Sequence, residues 1–220
     1  MEETGALFDR RRFIGSGAAL AAGIAGLSIL PQQACSQQHA IEGLNVIGPR
    51  QGFSPHIGTL VSMMAWMRSV VLQSVQGLTV AQLDLLPDSK ANSIGALLLH
   101  LAATERYYQL HTFENTKWGS WDDKIKKQWD IPMNLGDAGR KTIKGEQLDH
   151  YLNTLTEVRQ KTLEQLRMRD DKWLLTVDKS WGWGPTNNYC KWFHVVEHES
   201  NHNGQMKWIR SRLPGSSGEN

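Results

Sequence analysis

Two histidines one helical turn apart, near the carboxyl end, carry the clearest chemical signal in the sequence. His198 and His202 are four residues apart, so on a helix they share one face, with Cβ atoms about 5–6 Å apart. That separation allows both imidazoles to bind one metal ion at about 2.0–2.1 Å. Both also fall on the apolar stripe of their predicted helix, where a pair of hydrogen-bonded core histidines would explain the same spacing.

A third ligand is expected from an earlier helix. His100 lies on a predicted helical face whose other members are small: Ala96, Ala103 and Thr104. Their side chains leave space for an ion and a ligand. His111 and His194 extend the same two faces, but His194 and His202 are roughly 12 Å apart along the helix axis, which makes three successive ligands from one helix unfavourable. His100 is therefore the better third ligand, and three neutral imidazoles suit Zn²⁺, Ni²⁺ or Fe²⁺ with a coordination position left open.

The segment from His198 to His202 also matches the H-E-x-x-H pattern of zinc proteases, in which the glutamate is the general base. Such enzymes need a third ligand, usually downstream. Only eighteen residues follow His202, and the one acid among them is Glu219. The extended protease pattern places glycine and histidine where this chain has Gln205 and Trp208. The protease is therefore the least favoured of the functional alternatives.

Four amphipathic segments are predicted to position these residues. The first begins at Ser54-Pro55, an N-cap followed by proline at the first helical position. The others run from about Asn92 to His111, from after Gly145 to about Leu166, and from about Asn188 to Arg212. In each, apolar residues recur at steps of three and four, and period-two strand patterns are nearly absent. The sequence therefore predicts an all-α fold, a four-helix bundle.

Two long tryptophan-rich connections separate these helices. The first covers 112–144 and shows clean periodicity only for a short helix from about Asp122 to Trp129. Its tryptophans are Trp118, Trp121 and Trp129. The second covers 173–187 and contains the segment W-G-W-G-P at 181–185. Long structured connections often form functional lids, so these two are expected either to line a pocket or simply to cap the open end of the bundle.

The composition limits the class of protein. The chain has 220 residues, of which 40% are hydrophobic and 21% charged, enough for one ordinary domain with a core and unlike a disordered, collagen-like or multi-span membrane protein. The net charge is +2, with no basic run beyond the N-terminus, so we expect no nucleic-acid partner. The two cysteines, Cys35 and Cys190, are too few for a disulfide framework.

The first 36 residues are predicted to be an export signal. Arg10-Arg11-Arg12 precedes an uncharged stretch from Phe13 to Leu30, and the arginines with the residues after them resemble a twin-arginine motif, although the flanking residues differ from the usual ones. Cleavage after Ser36 would give a soluble exported protein, and lipidation of Cys35 would anchor it to a membrane. An uncleaved N-terminal anchor is the third alternative. The expected location is the periplasm or the cell envelope.

Two further segments, taken together, resemble the DinB-like superfamily. Residues 92–105, N-S-I-G-A-L-L-L-H-L-A-A-T-E, are similar to the second helix of that family, and residues 198–205, H-E-S-N-H-N-G-Q, to its fourth. The resemblance covers residues 54–213. The predicted organisation is thus a signal over 1–36, a linker over 37–53, the DinB-like bundle over 54–213 and a flexible tail over 214–220.

The resemblance implies a metal site at His100, His198 and His202, and a homodimer, as is common in the family. Characterised relatives include metal-dependent thiol transferases and a thiol-dependent isomerase. A metal in such a site would bind a thiol as its thiolate or activate a water. Glu105 and Glu199 are candidate proton carriers, or supports for the ligands, and ordinary ion pairing would explain them equally well.

The sequence therefore predicts an exported metal-binding protein that acts on a small molecule as a metal-dependent transferase or hydrolase. The alternative is a non-catalytic exported protein that binds a metal or another ligand at the same site. Export fits poorly with a transferase that depends on a cytosolic low-molecular-weight thiol. For this reason the sequence defines the site more closely than the substrate.

Overall fold

The computed structural model describes residues 43–214. The predicted signal over 1–36, the predicted lipidation site at Cys35, the first part of the linker and the end of the tail lie outside the described residues. All described residues belong to one compact unit, Ala40–Asn220. Among the described helices, none combines the length and the apolar character that crossing a bilayer requires.

The predicted all-α fold is confirmed. The described residues form α1 (Pro55–Val75), α2 (Val80–Leu83), α3 (Ile94–Thr112), α4 (Asp123–Asn134), α5 (Gly136–Thr142), α6 (Leu148–Arg167), α7 (Asp171–Leu174) and α8 (Asn188–Arg210). Two short strands, β1 (Val177–Asp178) and β2 (Thr186–Asn187), pair antiparallel within the second tryptophan-rich connection. The four long helices correspond to the four amphipathic segments of the sequence.

Helix packing makes α3 and α8 neighbours. Helix α1 packs against α8, while α3 packs against α6, α8 and α4. Apolar residues at helical spacing fill the space between them, and the most deeply buried include Val71, Leu98, Leu101, Leu155 and Met206. Each such side chain contributes about 1.5–3 kcal/mol when fully buried. The core therefore fixes the distance between the two helices that carry the candidate ligands.

Side-chain caps set where α3 and α8 begin. The Ser93 hydroxyl accepts a hydrogen bond from the Ala96 backbone N–H at 3.2 Å, and the Asn187 side chain accepts one from the Cys190 N–H at 2.8 Å. Such caps satisfy N–H groups that have no partner within the helix. Because α3 begins at a fixed residue, His100 lies two turns into it.

The start of α1 differs from the prediction. Ser54 occupies the N-cap position, but its side chain makes no capping bond. The carboxylate of Asp171, at the start of α7, accepts the N–H groups of His56 and Ile57 at 3.1 and 3.2 Å, and also the Ser54 hydroxyl at 2.5 Å. The cap comes from a residue distant in sequence, so a local pattern does not show it.

The first tryptophan-rich connection is more helical than the sequence indicates. The expected short helix continues through Asn134 as α4, and α5 follows directly. Pro132 lies inside α4, and Leu135 takes a left-handed conformation with φ 53° between the two helices. A proline and a kinked junction both disrupt helical periodicity. Helix α4 packs against α3 and places the Pro132 carbonyl close to His100.

Candidate metal centre

The structure brings His100, His198 and His202 together. One ring nitrogen from each lies within 4.8 Å of the other two, and the Nε2 atoms of His100 and His198 are 2.9 Å apart. Ligands at about 2.0–2.1 Å from one tetrahedral ion are about 3.3 Å from each other. Two Nε2 lone pairs at this distance repel each other. The repulsion is relieved if one nitrogen carries a hydrogen and donates it to the other, or if both nitrogens face a cation. The donor set therefore fits a divalent transition metal.

Protein groups hold the outer nitrogens of two of these rings. His100 Nδ1 lies 3.0 Å from the Pro132 carbonyl oxygen, and His202 Nδ1 lies 3.0 Å from Gln205 Oε1. If each Nδ1–H donates to its oxygen, each Nε2 keeps its lone pair for a metal. Gln205 belongs to the motif that resembles the family, whereas a backbone carbonyl such as that of Pro132 leaves no trace in a sequence.

Burial keeps the three imidazoles uncharged at neutral pH. Burial, and then the nearby His202, lowers the pKa of His100 to about 4. Burial followed by the neighbouring histidines lowers the pKa of His198 to about 3, and burial also lowers the pKa of His202. The neutral imidazole is the form that binds metals. The hydroxyl of Thr104, 3.3 Å from His198 Nε2, adds a polar group beside this histidine.

The carboxylates of Glu105 and Glu199 lie in a separate buried group, which we call the ionic cluster: Arg68, Glu105, Arg159 and Glu199. Glu105 accepts hydrogen bonds from Arg159 Nε at 2.7 Å and from Arg68 at 3.0 Å. Glu199 accepts from Arg68 at 2.5 Å and from Arg159 at 2.7 Å. Burial opposes ionisation of Glu105, but Arg159 and Arg68 outweigh it and lower its pKa. The structure thus shows ion pairing at both positions, and proton transfer by either stays a prediction.

The other two histidines on these faces have partners of their own. Nδ1 of His194 lies 2.9 Å from the Tyr108 hydroxyl. Nε2 of His111 lies 2.9 Å from Lys191 Nζ, which donates to Asp178 at 2.7 Å. Hydrogen bonds from Lys191 and from Ser180 hold the pKa of Asp178 far below its usual range. A buried lysine has no expected place in an amphipathic pattern, so sequence reasoning missed Lys191.

A cavity of about 580 Å³ adjoins His198. We call it the tryptophan cavity, and its lining includes Thr104, Tyr108, Trp118, Trp181, Trp183 and His198. The three tryptophans come from the two long connections. Of the two roles that the sequence left open for these connections, the structure therefore shows the lining of a pocket.

Comparison with known proteins identifies a family and a similar fold. The family model described as mycothiol-S-transferase matches residues 59–215. The crystal structure of a conserved protein from Enterococcus faecalis is similar, with a TM-score of 0.55 and 16% sequence identity over 71% of this chain and 96% of that chain. At that identity the likeness concerns the fold alone. No curated protein matches the sequence.

Proposed function

The chain belongs to the mycothiol-S-transferase family, and on that premise we propose that it is a metal-dependent transferase that joins a thiol to a small electrophilic molecule. The observation that carries the proposal is the convergence of the ring nitrogens of His100, His198 and His202 within 4.8 Å of one another. The family description names mycothiol, and the thiol is either mycothiol or another low-molecular-weight thiol. The metal is Zn²⁺, Ni²⁺ or Fe²⁺.

The three histidines would hold the metal, and a metal so bound lowers the pKa of a thiol or water in its open position. Neighbouring groups of the protein fix the orientation of two of these rings. Because the Pro132 carbonyl and the Gln205 side chain hold the outer nitrogens of His100 and His202, these rings resist rotation away from a shared ligand. Thr104 can donate its hydroxyl hydrogen to a substrate atom beside His198.

In the proposed reaction the thiol gives up its proton and its sulfur bonds to the electrophilic atom, while a leaving group departs from that atom with its electron pair or an adjacent double bond opens and takes up a proton. Tyr108 and His194 form a hydrogen-bonded pair on the wall of the tryptophan cavity. Burial raises the pKa of Tyr108 and lowers that of His194, so both are neutral near pH 7. A neutral imidazole beside a hydroxyl is suited to accept a proton and pass it toward solvent.

Turnover by metal-loaded protein tests the proposal. Purified protein is stripped of metal, reloaded with Zn²⁺, Ni²⁺ or Fe²⁺, and given a thiol with an electrophile, and the loss of free thiol is followed. We expect the reloaded protein to consume thiol and His198→Ala to be inactive. The matched control is His150→Ala, which removes an exposed histidine from α6 and should keep full activity. Equal rates for the His198→Ala variant and the wild type would contradict the proposal.

A second candidate is a non-catalytic protein that binds a metal or ligand at the same site. It is favoured by the ionic cluster, because both predicted carboxylate proton carriers, Glu105 and Glu199, are engaged by arginines. The two candidates differ in one outcome. A binder would load metal through the three histidines and yet consume no thiol with any electrophile offered.

Export and a homodimer stay proposals. The resemblance of the segment after Arg10 to a twin-arginine motif supports export to the periplasm or cell envelope, as a soluble protein or anchored through Cys35. Mass spectrometry of the mature N-terminus tests this, because an intact Met1 in exported protein would rule out a cleaved signal. The dimer rests on the family resemblance, and the mass in solution would test it.

A further inference from the structure

The tryptophan cavity has the size of a small-molecule site. Its volume is about 580 Å³, and such sites usually measure about 300–1,000 Å³. Its walls come from α3, from α8 and from both tryptophan-rich connections, and His198 forms part of the lining. A molecule in this cavity therefore reaches the candidate metal centre directly.

A continuous series of aromatic rings leads from the mouth of the cavity to His198. The centroids of Trp118 and Trp181 are 5.1 Å apart, those of Trp181 and Trp183 are 5.5 Å apart, and both pairs meet edge to face. His194 continues the series, 5.0 Å from Trp183 and 5.2 Å from His198. Trp183 is 57% exposed and Trp118 is 37% exposed, so part of each side chain can still contact a ligand.

Aromatic walls suit two kinds of ligand, namely cations and flat unsaturated groups. Lys191 decides between them. Its ammonium lies 4.4 Å from the centroid of the Trp181 ring, and the residue is only 1% exposed. The Lys191 ammonium thus already makes the cation–π contact with Trp181, the ring that lies between Trp118 and Trp183.

The charges around the cavity also disfavour a cation. Lys191 is matched by Asp178 at 2.7 Å, and Asp178 and Lys117 both belong to the lining. His111, also in the lining, has Nδ1 3.0 Å from the Thr116 carbonyl oxygen, and its Nε2 lies 2.9 Å from Lys191 Nζ and 3.3 Å from Asp178 Oδ2. Glu197, 4.0 Å from His194 Nε2, does not belong to the lining. Because Asp178 is already paired with Lys191, Lys117 is the lining charge that a ligand meets. A divalent metal held by the histidines would add to that charge.

We propose that the tryptophan cavity binds the electrophilic substrate by a flat, unsaturated ring system that is neutral or anionic, and that it discriminates against cationic ligands. The ring packs against the exposed parts of Trp118 and Trp183, and an anionic substituent lies toward Lys117. The assignment of this ligand as the electrophile rests on the proposed function. The binding itself requires neither thiol nor metal.

Two probes with the same ring and opposite charge test the inference: naphthalene-1-sulfonate and 1-naphthyltrimethylammonium. Their affinities for the full-length protein are measured by isothermal titration calorimetry. We expect the sulfonate to bind at least about tenfold more tightly, and Trp183→Ala to weaken it by about tenfold. Trp66→Ala, which removes another exposed tryptophan on α1, is the control and should leave the affinity unchanged.

A charge reversal at the rim gives a second test that does not disturb the core. Lys117 is exposed, so Lys117→Glu should fold normally and lower the preference for the sulfonate over the ammonium probe several-fold. The inference is overturned if the ammonium probe binds as tightly as the sulfonate, if neither probe binds to the folded protein, or if the Trp183→Ala and Trp66→Ala variants bind the sulfonate equally well.

These outcomes are separate from those of the proposed function. If the sulfonate binds as expected but metal-loaded protein transfers no thiol, the transferase proposal fails and the ligand class stands. If thiol transfer depends on His198 but the cavity shows no preference for the sulfonate, the ligand class fails and the transferase proposal stands.

Discussion

Helices α3 and α8 contribute to two buried polar groups, the ionic cluster and the histidine group. The two differ in how their polar atoms are compensated away from water. In the ionic cluster, all four charged groups meet an opposite charge within 3.1 Å, and α1, α3, α6 and α8 each supply one of them. In the histidine group, three neutral rings turn their nitrogens toward one another. In the ionic cluster the opposite charges are already paired, although Glu199 Oε2 has no hydrogen-bond partner among the described residues, whereas the histidine group could also hold a cation.

This difference assigns the two groups separate tasks. Buried charges tolerate little change, because the loss of one partner leaves its opposite charge uncompensated in the core. Buried neutral imidazoles cost less to hold in place, and their unshared lone pairs favour a metal. Glu199 lies between His198 and His202 in sequence, so its ion pairs fix the rotation of the helix that presents both ligands. The ionic cluster thus ties the four helices together, and the histidine group is the one whose donor atoms could bind a metal.

The largest effect should come from breaking the ionic cluster. Arg159→Met removes one of the two arginines that pair with both glutamates and should lower the free energy of unfolding of metal-free protein by about 3–5 kcal/mol. Urea unfolding monitored by circular dichroism measures it. Lys126→Met is the control, because Lys126 forms only an exposed 4.0 Å ion pair with Asp123 and its removal should cost less than about 1 kcal/mol. Similar losses in both variants would contradict the role of the cluster.

Metal should stabilise the protein through the histidine group alone. With free metal at about 100 times its dissociation constant, the free energy of unfolding should rise by about 2.7 kcal/mol in the wild type. His198→Ala should show no such rise, because it lacks one ligand. Urea unfolding with and without metal gives the comparison. An equal rise in both proteins would show that the metal binds elsewhere.

Metal-free protein should lose stability in mild acid. The folded-state pKa values of His100 and His198, about 4 and about 3, lie below the value of about 6.5 expected in the unfolded chain. The unfolded state therefore takes up protons first as the pH falls, and stability is complete above about pH 6.5 and declines below it. From pH 7 to 5.5 we expect a loss of about 2 kcal/mol from the two histidines. In the His198→Ala variant this loss of unfolding free energy should be roughly halved. An unchanged loss would mean that groups other than His198 cause it.

The smallest predicted effect concerns the support of a ligand. Gln205→Ala removes the acceptor beside His202 Nδ1 and should weaken metal binding about tenfold, with little change in the stability of metal-free protein. Competition with a chelator of known affinity measures the dissociation constant. Gln205→Glu, which keeps an acceptor at the same position, should restore most of the affinity. A loss in both variants would mean that Gln205 acts through packing.

The spacing of apolar residues along the sequence was sufficient to predict the long helices and the residues that share a helical face. The four long helices and the shared face of His198 and His202 follow from steps of three and four residues, because such steps fix which residues share a face. That His100 joins them was indicated by the small residues on its own helical face and by the family resemblance. The ionic cluster could not be foreseen. Whether Arg68 and Arg159 point inward depends on how four helices rotate against one another, and arginine in an amphipathic helix usually faces water.

The connections show the other limit of sequence reasoning. Their tryptophans indicated structured segments, but Pro132 and the left-handed Leu135 interrupt the periodicity by which α4 and α5 would have been recognised. The contact that matters most there is the Pro132 carbonyl on His100. Every residue has such a carbonyl, so only the three-dimensional course of the chain shows which one holds a ligand.

The central claim is that three histidines from two helices form one metal site, and metal stoichiometry after reloading tests it most directly. Metal-free wild type, His100→Ala, His198→Ala, His202→Ala and the control His150→Ala are each incubated with Zn²⁺, desalted and measured by elemental analysis. We predict about one ion per chain in the wild type and the control, and less than about a tenth in each of the other three. Full loading of His100→Ala, or a wild type that stays below a tenth, would contradict the claim.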